Sequence, residues 1–166
     1  IMWILLAVLL VLITLWFALI MPARSTKAQR APFSGRTFAH RGLFTKDQSV
    51  PENSIAAFCA AVGSGYGVEL DVQLTRDKQV VVFHDDDLKR VCGVDARVDA
   101  YSFDELQTLS LLNTSERIPL FTEVLATIDG KIPMIVELKS GGDWKTLCPK
   151  TLELLRAYRG DYCVES

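Results

Sequence analysis

Positive charge is not in excess in this chain: 18 Lys and Arg stand against 20 Asp and Glu, for a formal net charge of -2. A nucleic-acid binder needs a basic face to meet phosphates, so nucleic acid is not expected as a partner. Cysteine is sparse as well. The 4 that occur, Cys59, Cys92, Cys148 and Cys163, form no CxxC pair and are too few for a disulfide scaffold. Free thiols in a reducing compartment are the simplest reading. No glycine-rich nucleotide loop follows the first strand-like segment, because His40-Arg41-Gly42 has neither GxGxxG nor GxxxxGKS/T spacing. Repeats and low-complexity tracts are missing too.

What is there is apolar bulk. A chain of 166 residues with 49% hydrophobic content can build one domain with a sizeable core. Much of the excess sits in residues 1–23, which carry no charge and consist largely of Leu, Ile, Val, Ala, Trp and Phe. At about 1.5 Å per residue this run reaches across a hydrocarbon core of roughly 30 Å. Trp3 and Trp16-Phe17 lie toward its ends, and Pro22 followed by Arg24, Lys27 and Arg30 marks the exit. A single transmembrane helix is therefore expected, with the basic flank pointing to a cytoplasmic domain. A cleaved signal peptide is the competing reading, although its apolar region usually runs about 7–15 residues. A buried core helix is a third.

Residues 24–35 are polar, contain Pro and Gly, and read as a linker. From residue 36 strand-like and helix-like segments alternate: strands over 36–40, 67–74, 80–84, 134–138 and 162–165, and helices over 53–64, 121–129 and 146–158. Asn53 or Ser54 can cap the first of these helices, Ser102-x-x-Glu105 is a capping box, and Asp77-Lys78 is a turn. Such alternation implies parallel βαβ units in a doubly wound sheet or a (β/α)8 TIM barrel. Without a nucleotide loop the barrel is favoured. About five of its eight strands are present, so a chain incomplete at its C-terminus is expected, with open edges prone to association.

Two histidines and three carboxylates, His40, His84, Glu69, Asp71 and Glu137, sit at or near the downstream ends of these strands, where a barrel displays its chemistry. Glu69 and Asp71 are two apart on one strand and so share a face. Two ions aimed together repel unless a divalent cation neutralises them, and an all-oxygen set with Glu137 as third ligand selects Mg²⁺ or Ca²⁺. A solvated strand face, or an ion pair with Arg41 or Lys139, is the plainer alternative. Imidazoles titrate near neutrality and can divide acid and base duties, while Arg41 and Lys139 are suited to phosphate oxygens. Metal, proton-transfer groups and cations together fit phosphodiester hydrolysis.

The strings His40-Arg41-Gly42, Pro51-Glu52-Asn53-Ser54, Glu69-x-Asp71-Val72-x-x-Thr75-x-Asp77, His84-Asp85 and Glu137-x-Lys139 resemble, in order, those of the glycerophosphodiester phosphodiesterases. The resemblance runs from about Phe38 to the end of the chain. It implies a TIM-barrel domain over 36–166, with His40 and His84 as the acid/base pair. It also implies Glu69, Asp71 and Glu137 as ligands of a divalent cation and Arg41 and Lys139 at the phosphate. Glu52 and Asn53 match a family signature without an assigned role, and for Asn53 a helix cap explains the residue equally well. Thr75 and Asp77 are read as turn-shaping.

The implied reaction is hydrolysis of a glycerophosphodiester to an alcohol and glycerol 3-phosphate. A membrane anchor would hold the enzyme near lipid-derived substrate or lysophospholipid. Family members continue beyond the point corresponding to Ser166, so little turnover is expected from this chain alone. The alternatives are a membrane-anchored, non-catalytic module that binds phosphate or a head group, and a lysophospholipase D or phosphatidylinositol phospholipase C-like variant.

Overall fold

The computed structural model describes residues 2–21, 25–139 and 141–166. Pro22 and Arg24, read above as the exit of the apolar span, lie outside the described residues. The chain divides into two compact units, residues 1–31 and 32–166.

In the first unit, helix α1 (Met2–Ile20) has 19 residues, none of them buried. It is long and apolar enough to cross a membrane. Its one hydroxyl is satisfied within the helix, Thr14 Oγ1 donating to the Leu10 carbonyl at 2.8 Å. The expected linker contains a one-turn helix, α2 (Lys27–Arg30). Thr26 Oγ1 accepts from Gln29 N–H at 3.2 Å, and Gln29 Oε1 accepts from Thr26 N–H at 2.8 Å.

The second unit runs β1 (Phe38–His40), α3 (Ile55–Ser64), β2 (Gly67–Leu74), β3 (Val80–Val82), α4 (Lys89–Cys92) and a 3₁₀ turn (Val98–Ala100). It continues with α5 (Phe103–Leu106), α6 (Phe121–Ile128), β4 (Met134–Leu138), α7 (Trp144–Ala157) and β5 (Tyr162–Glu165). Strand order is β1-β2-β4-β5, all parallel, with β3 paired to β2 off this path. The expected alternating, mostly parallel α/β sheet is thus present.

One strand departs from expectation. β3 runs antiparallel to β2, with Val72 opposite Val82 and Leu74 opposite Val80, so it is the return arm of a hairpin and not a further stave. The five residues between the two arms are too few for a parallel crossover, which takes a dozen or more. Thr75 Oγ1 donates to Asp77 Oδ1 at 2.6 Å and Thr75 N–H donates to the Gln79 carbonyl at 3.0 Å, which closes the turn as read.

Two apolar clusters hold this unit together. Val68, Leu70, Val72 and Leu74 of β2 face Phe58 of α3, Phe121, Val124 and Ile128 of α6, and Leu147 and Leu155 of α7. Val81 of β3 points the other way, with Phe83, into a second cluster built from Leu88, Val91, Val98, Leu106, Leu111 and Ile118. The period of two in β3 therefore ties the segment over 84–120 to the main sheet. With its apolar face spent on helices, β2 turns Glu69 and Asp71 toward the other side, where the site forms.

Candidate active site

The in-register ladders bring the acids together. His40 is opposite Glu69 across β1–β2, and Asp71 is opposite Glu137 across β2–β4. One carboxylate oxygen from each of Glu69, Asp71 and Glu137 lies within 4.8 Å of the others. Oxygens bound to one hard ion at about 2.3–2.6 Å are separated by no more than about 5 Å, so this set fits a divalent cation. The electrostatics agree. Burial, then the neighbouring Asp71 charge, pushes the Glu69 carboxyl above its ordinary range. Asp71 is fully buried; burial works against its ionisation, yet Lys139 and Asn53 hold its carboxyl below the usual value.

The carboxylates cluster, and the ion pairs offered above as the plainer alternative are present as well. Lys139 Nζ lies 2.8 Å from Asp71 Oδ1 and 2.8 Å from Glu137 Oε1, and Arg41 Nε lies 3.8 Å from Asp71 Oδ2. The Lys139–Asp71 contact is a charge pair off the line of a directed hydrogen bond. Among the described residues Asp71 Oδ1 and Asn53 Oδ1 are buried acceptors without a hydrogen-bond donor. Burial lowers Lys139 and its two carboxylates outweigh this, so the ammonium is held charged above its ordinary value.

Arg41 and Asn53 take left-handed backbone, at φ 59 and 54, conformations uncommon outside glycine. The Asn53 N–H donates to the Arg41 carbonyl at 2.8 Å, clasping the two loops. That conformation settles the two readings of Asn53. Ser54 is the cap, its hydroxyl accepting from Ala57 N–H at 3.1 Å, while Asn53 Nδ2 donates to Asp71 Oδ2 at 2.9 Å. The Arg41 N–H donates to Glu69 Oε2 at 3.1 Å. Gly42 completes the string, because its φ of +79 and a Cβ placed 2.8 Å from that of Ala57 both exclude a side chain.

The histidines occupy different settings. His40, with 67% of its side chain exposed, stands at the rim with Nε2 3.7 Å from Glu69 Oε2. His84 returns to the level of Asp71 because the hairpin folds back, the Phe83 N–H donating to the Asp71 carbonyl at 3.0 Å. Its Nδ1 is 2.6 Å from Asp85 Oδ1. Burial opposes ionisation of Asp85, but the Arg90 and His84 hydrogen bonds outweigh it and hold the carboxyl below its usual range. An ionised carboxylate only accepts, so His84 Nδ1 carries the hydrogen.

The family described as glycerophosphoryl diester phosphodiesterase matches residues 40–146, the stretch that contains every one of these groups. The chain belongs to that family. A glycerophosphodiester phosphodiesterase from Caldanaerobacter subterraneus subsp. tengcongensis is 39% identical over 62% of this chain and 44% of its own length. The rat protein named lysophospholipase D GDPD1 is 31% identical over 91% of this chain and 50% of its own. Among solved structures, an Oleispira antarctica phosphodiesterase in complex with the product sn-glycerol-3-phosphate superposes with a TM-score of 0.70 at 28% identity, over 80% of this chain and 56% of that one. A glycerophosphodiester phosphodiesterase from Thermotoga maritima gives 0.64 at 30% identity, over 77% and 52%. The chain spans about half the length of the curated relatives it matches.

Within this family member, sequence reasoning missed two residues that touch the site. Asp85 was visible only as the end of a string, and Arg90 carried no signal. Arg90 reaches Asp85 and Glu52 together, and Glu52 also accepts from Arg41 NH1 at 2.9 Å. Glu52, left without a role above, is thus a bridge between two guanidinium groups.

Proposed function

We propose that this chain carries the ion- and phosphate-binding part of a (β/α)8 phosphodiesterase that hydrolyses glycerophosphodiesters to an alcohol and glycerol 3-phosphate. The observation that carries this reading is the convergence of Glu69, Asp71 and Glu137 beside two cations and two imidazoles. The four parallel strands are read as consecutive staves, and residues 36–166 as the enzyme domain. A bound Mg²⁺ or Ca²⁺ would lower the energy of charge gathering on the phosphoryl oxygens. Arg41 offers a fork to the same oxygens, and Lys139 a point charge. One imidazole removes the proton of the attacking hydroxyl, from the neighbouring glycerol carbon or from water, and the other gives a proton to the leaving oxygen. His84, fixed through Nδ1, presents Nε2 for one of these steps.

Lysophospholipid is the second substrate reading. The match to the rat lysophospholipase D takes in 91% of this chain, and α1 has the character of a membrane anchor that would keep the site near lipid. Calorimetry with MgCl₂ and CaCl₂, together with ³¹P NMR of sn-glycero-3-phosphocholine and lysophosphatidylcholine, tests both readings. Loss of cation binding in Glu137→Gln is the expected result for this chain, and loss of turnover with chelator and in His84→Ala is the expected result for a chain extended to the full barrel. An unchanged cation isotherm in Glu137→Gln would remove the ligand set.

A further inference from the structure

Arg90, the second residue of α4, makes more of its guanidinium than any ion pair at the surface requires. Nε and NH2 donate to Asp85 Oδ2 and Oδ1 at 2.7 and 3.0 Å. NH2 and NH1 donate to Glu52 Oε1 and Oε2 at 2.6 and 3.0 Å. One planar group therefore grips two carboxylates along adjacent edges. Each carboxylate is in turn committed to the site: Asp85 holds His84 Nδ1, and Glu52 holds Arg41, whose Nε lies 3.8 Å from Asp71. Charges alternate from Asp85 through Arg90, Glu52 and Arg41 to Asp71, with the His84 ring bonded at the near end. Glu52 and Arg41 are well buried, with side chains 12% and 18% exposed, so the fork orients groups that solvent screens weakly.

We propose that Arg90 is a positioning residue which fixes His84 through Asp85 and Arg41 through Glu52, keeping a proton-transfer group and a phosphate-binding group in one register. This rests on the phosphodiesterase reading for the roles of His84 and Arg41, but the geometry of the grip stands apart from it. The geometry also dictates what can replace Arg90. A lysine ammonium is a point donor and cannot span both carboxylates bidentately, whereas a guanidinium does.

The test uses the full chain with ¹⁵N-labelled histidine, on the alkaline plateau where the ring ¹⁵N shifts no longer change with pH. Long-range ¹H–¹⁵N spectra report the tautomer of His84, assigned by comparison with His40→Gln. Calorimetry with sn-glycerol 3-phosphate reports Arg41. Unmodified chain is expected to show a single Nδ1–H tautomer for His84. Arg90→Ala is expected to move both ring nitrogens toward the tautomeric average and to weaken glycerol phosphate by about tenfold, the scale of one lost charged hydrogen bond. Arg90→Lys is expected to fold and to recover at most one of the two signals. It carries the test if Arg90→Ala does not fold. An unmoved His84 spectrum in Arg90→Ala, or full recovery of both signals in Arg90→Lys, overturns the proposal. Failure of the unmodified chain to bind glycerol phosphate would count against the phosphodiesterase reading, and the His84 spectrum would still judge Arg90.

Discussion

Asp71 and Glu137 stand directly opposite each other in the parallel β2–β4 ladder, and a single ammonium, that of Lys139, reaches both at 2.8 Å. Like charges placed face to face in a sheet destabilise it unless something positive lies between them. Lys139 supplies that charge from the strand's own end.

A divalent cation entering this set would take over the task of Lys139. In Lys139→Met, stability without added cation is expected to fall, and MgCl₂ or CaCl₂ to restore it. For the unmodified chain, cation at about 100 times its dissociation constant should add about 2.7 kcal/mol. Urea unfolding with and without chelator measures both, and Glu137→Gln should abolish most of the gain.

Acid should weaken the Arg90 grip. Burial raises the Asp85 and Glu52 carboxyls, but Arg90 together with His84 at Asp85 and with Arg41 at Glu52 outweighs it and holds both below their ordinary range when folded. Their contribution is present above about pH 4 and is lost as pH falls through the lowered folded values. Arg90→Gln is therefore expected to cost more stability near neutrality than at about pH 3. Equal costs at the two pH values, in urea titrations of the same variant, would contradict this.

Asn53 combines a backbone requirement with a side-chain one. Asn53→Gly keeps the left-handed conformation and loses the amide on Asp71, whereas Asn53→Ala loses both. Unfolding free energies should separate the two by about 1 kcal/mol, with alanine the worse. Ser54→Ala, by contrast, should cost about 1 kcal/mol as a lost helix cap and leave cation binding unchanged.

Gly42→Ala is expected to destabilise by about 1–3 kcal/mol, since a β-carbon meets both a positive φ and the side chain of Ala57. Because Gly42 follows Arg41, glycerol phosphate affinity should fall with it. Thermal unfolding and calorimetry on one sample check the pair of effects.

Much of the site was legible because strand geometry is simple: residues two apart share a face, which placed Glu69 with Asp71 and left only the register to bring Glu137 alongside. Other features were hidden for physical reasons. Asn53 is a residue type that caps helices, and nothing local separates that use from a bond to Asp71. Arg90 finds Glu52 38 residues away, a pairing created by tertiary structure alone. The direction of β3 was readable, since its short connection to β2 forbids a parallel return, but the alternation of strand and helix elsewhere masked it.

The β2–β3 hairpin also bears on how this corner of the protein is assembled. Asp71 and His84 are joined by a tight reversal, so bringing them together costs little loop entropy and needs no other element in place. Glu137, arriving on a strand beyond three helices and a 3₁₀ turn, must wait for long-range pairing. Folding should therefore set the acid and the imidazole side by side early, and complete the triad of carboxylates only when β4 docks.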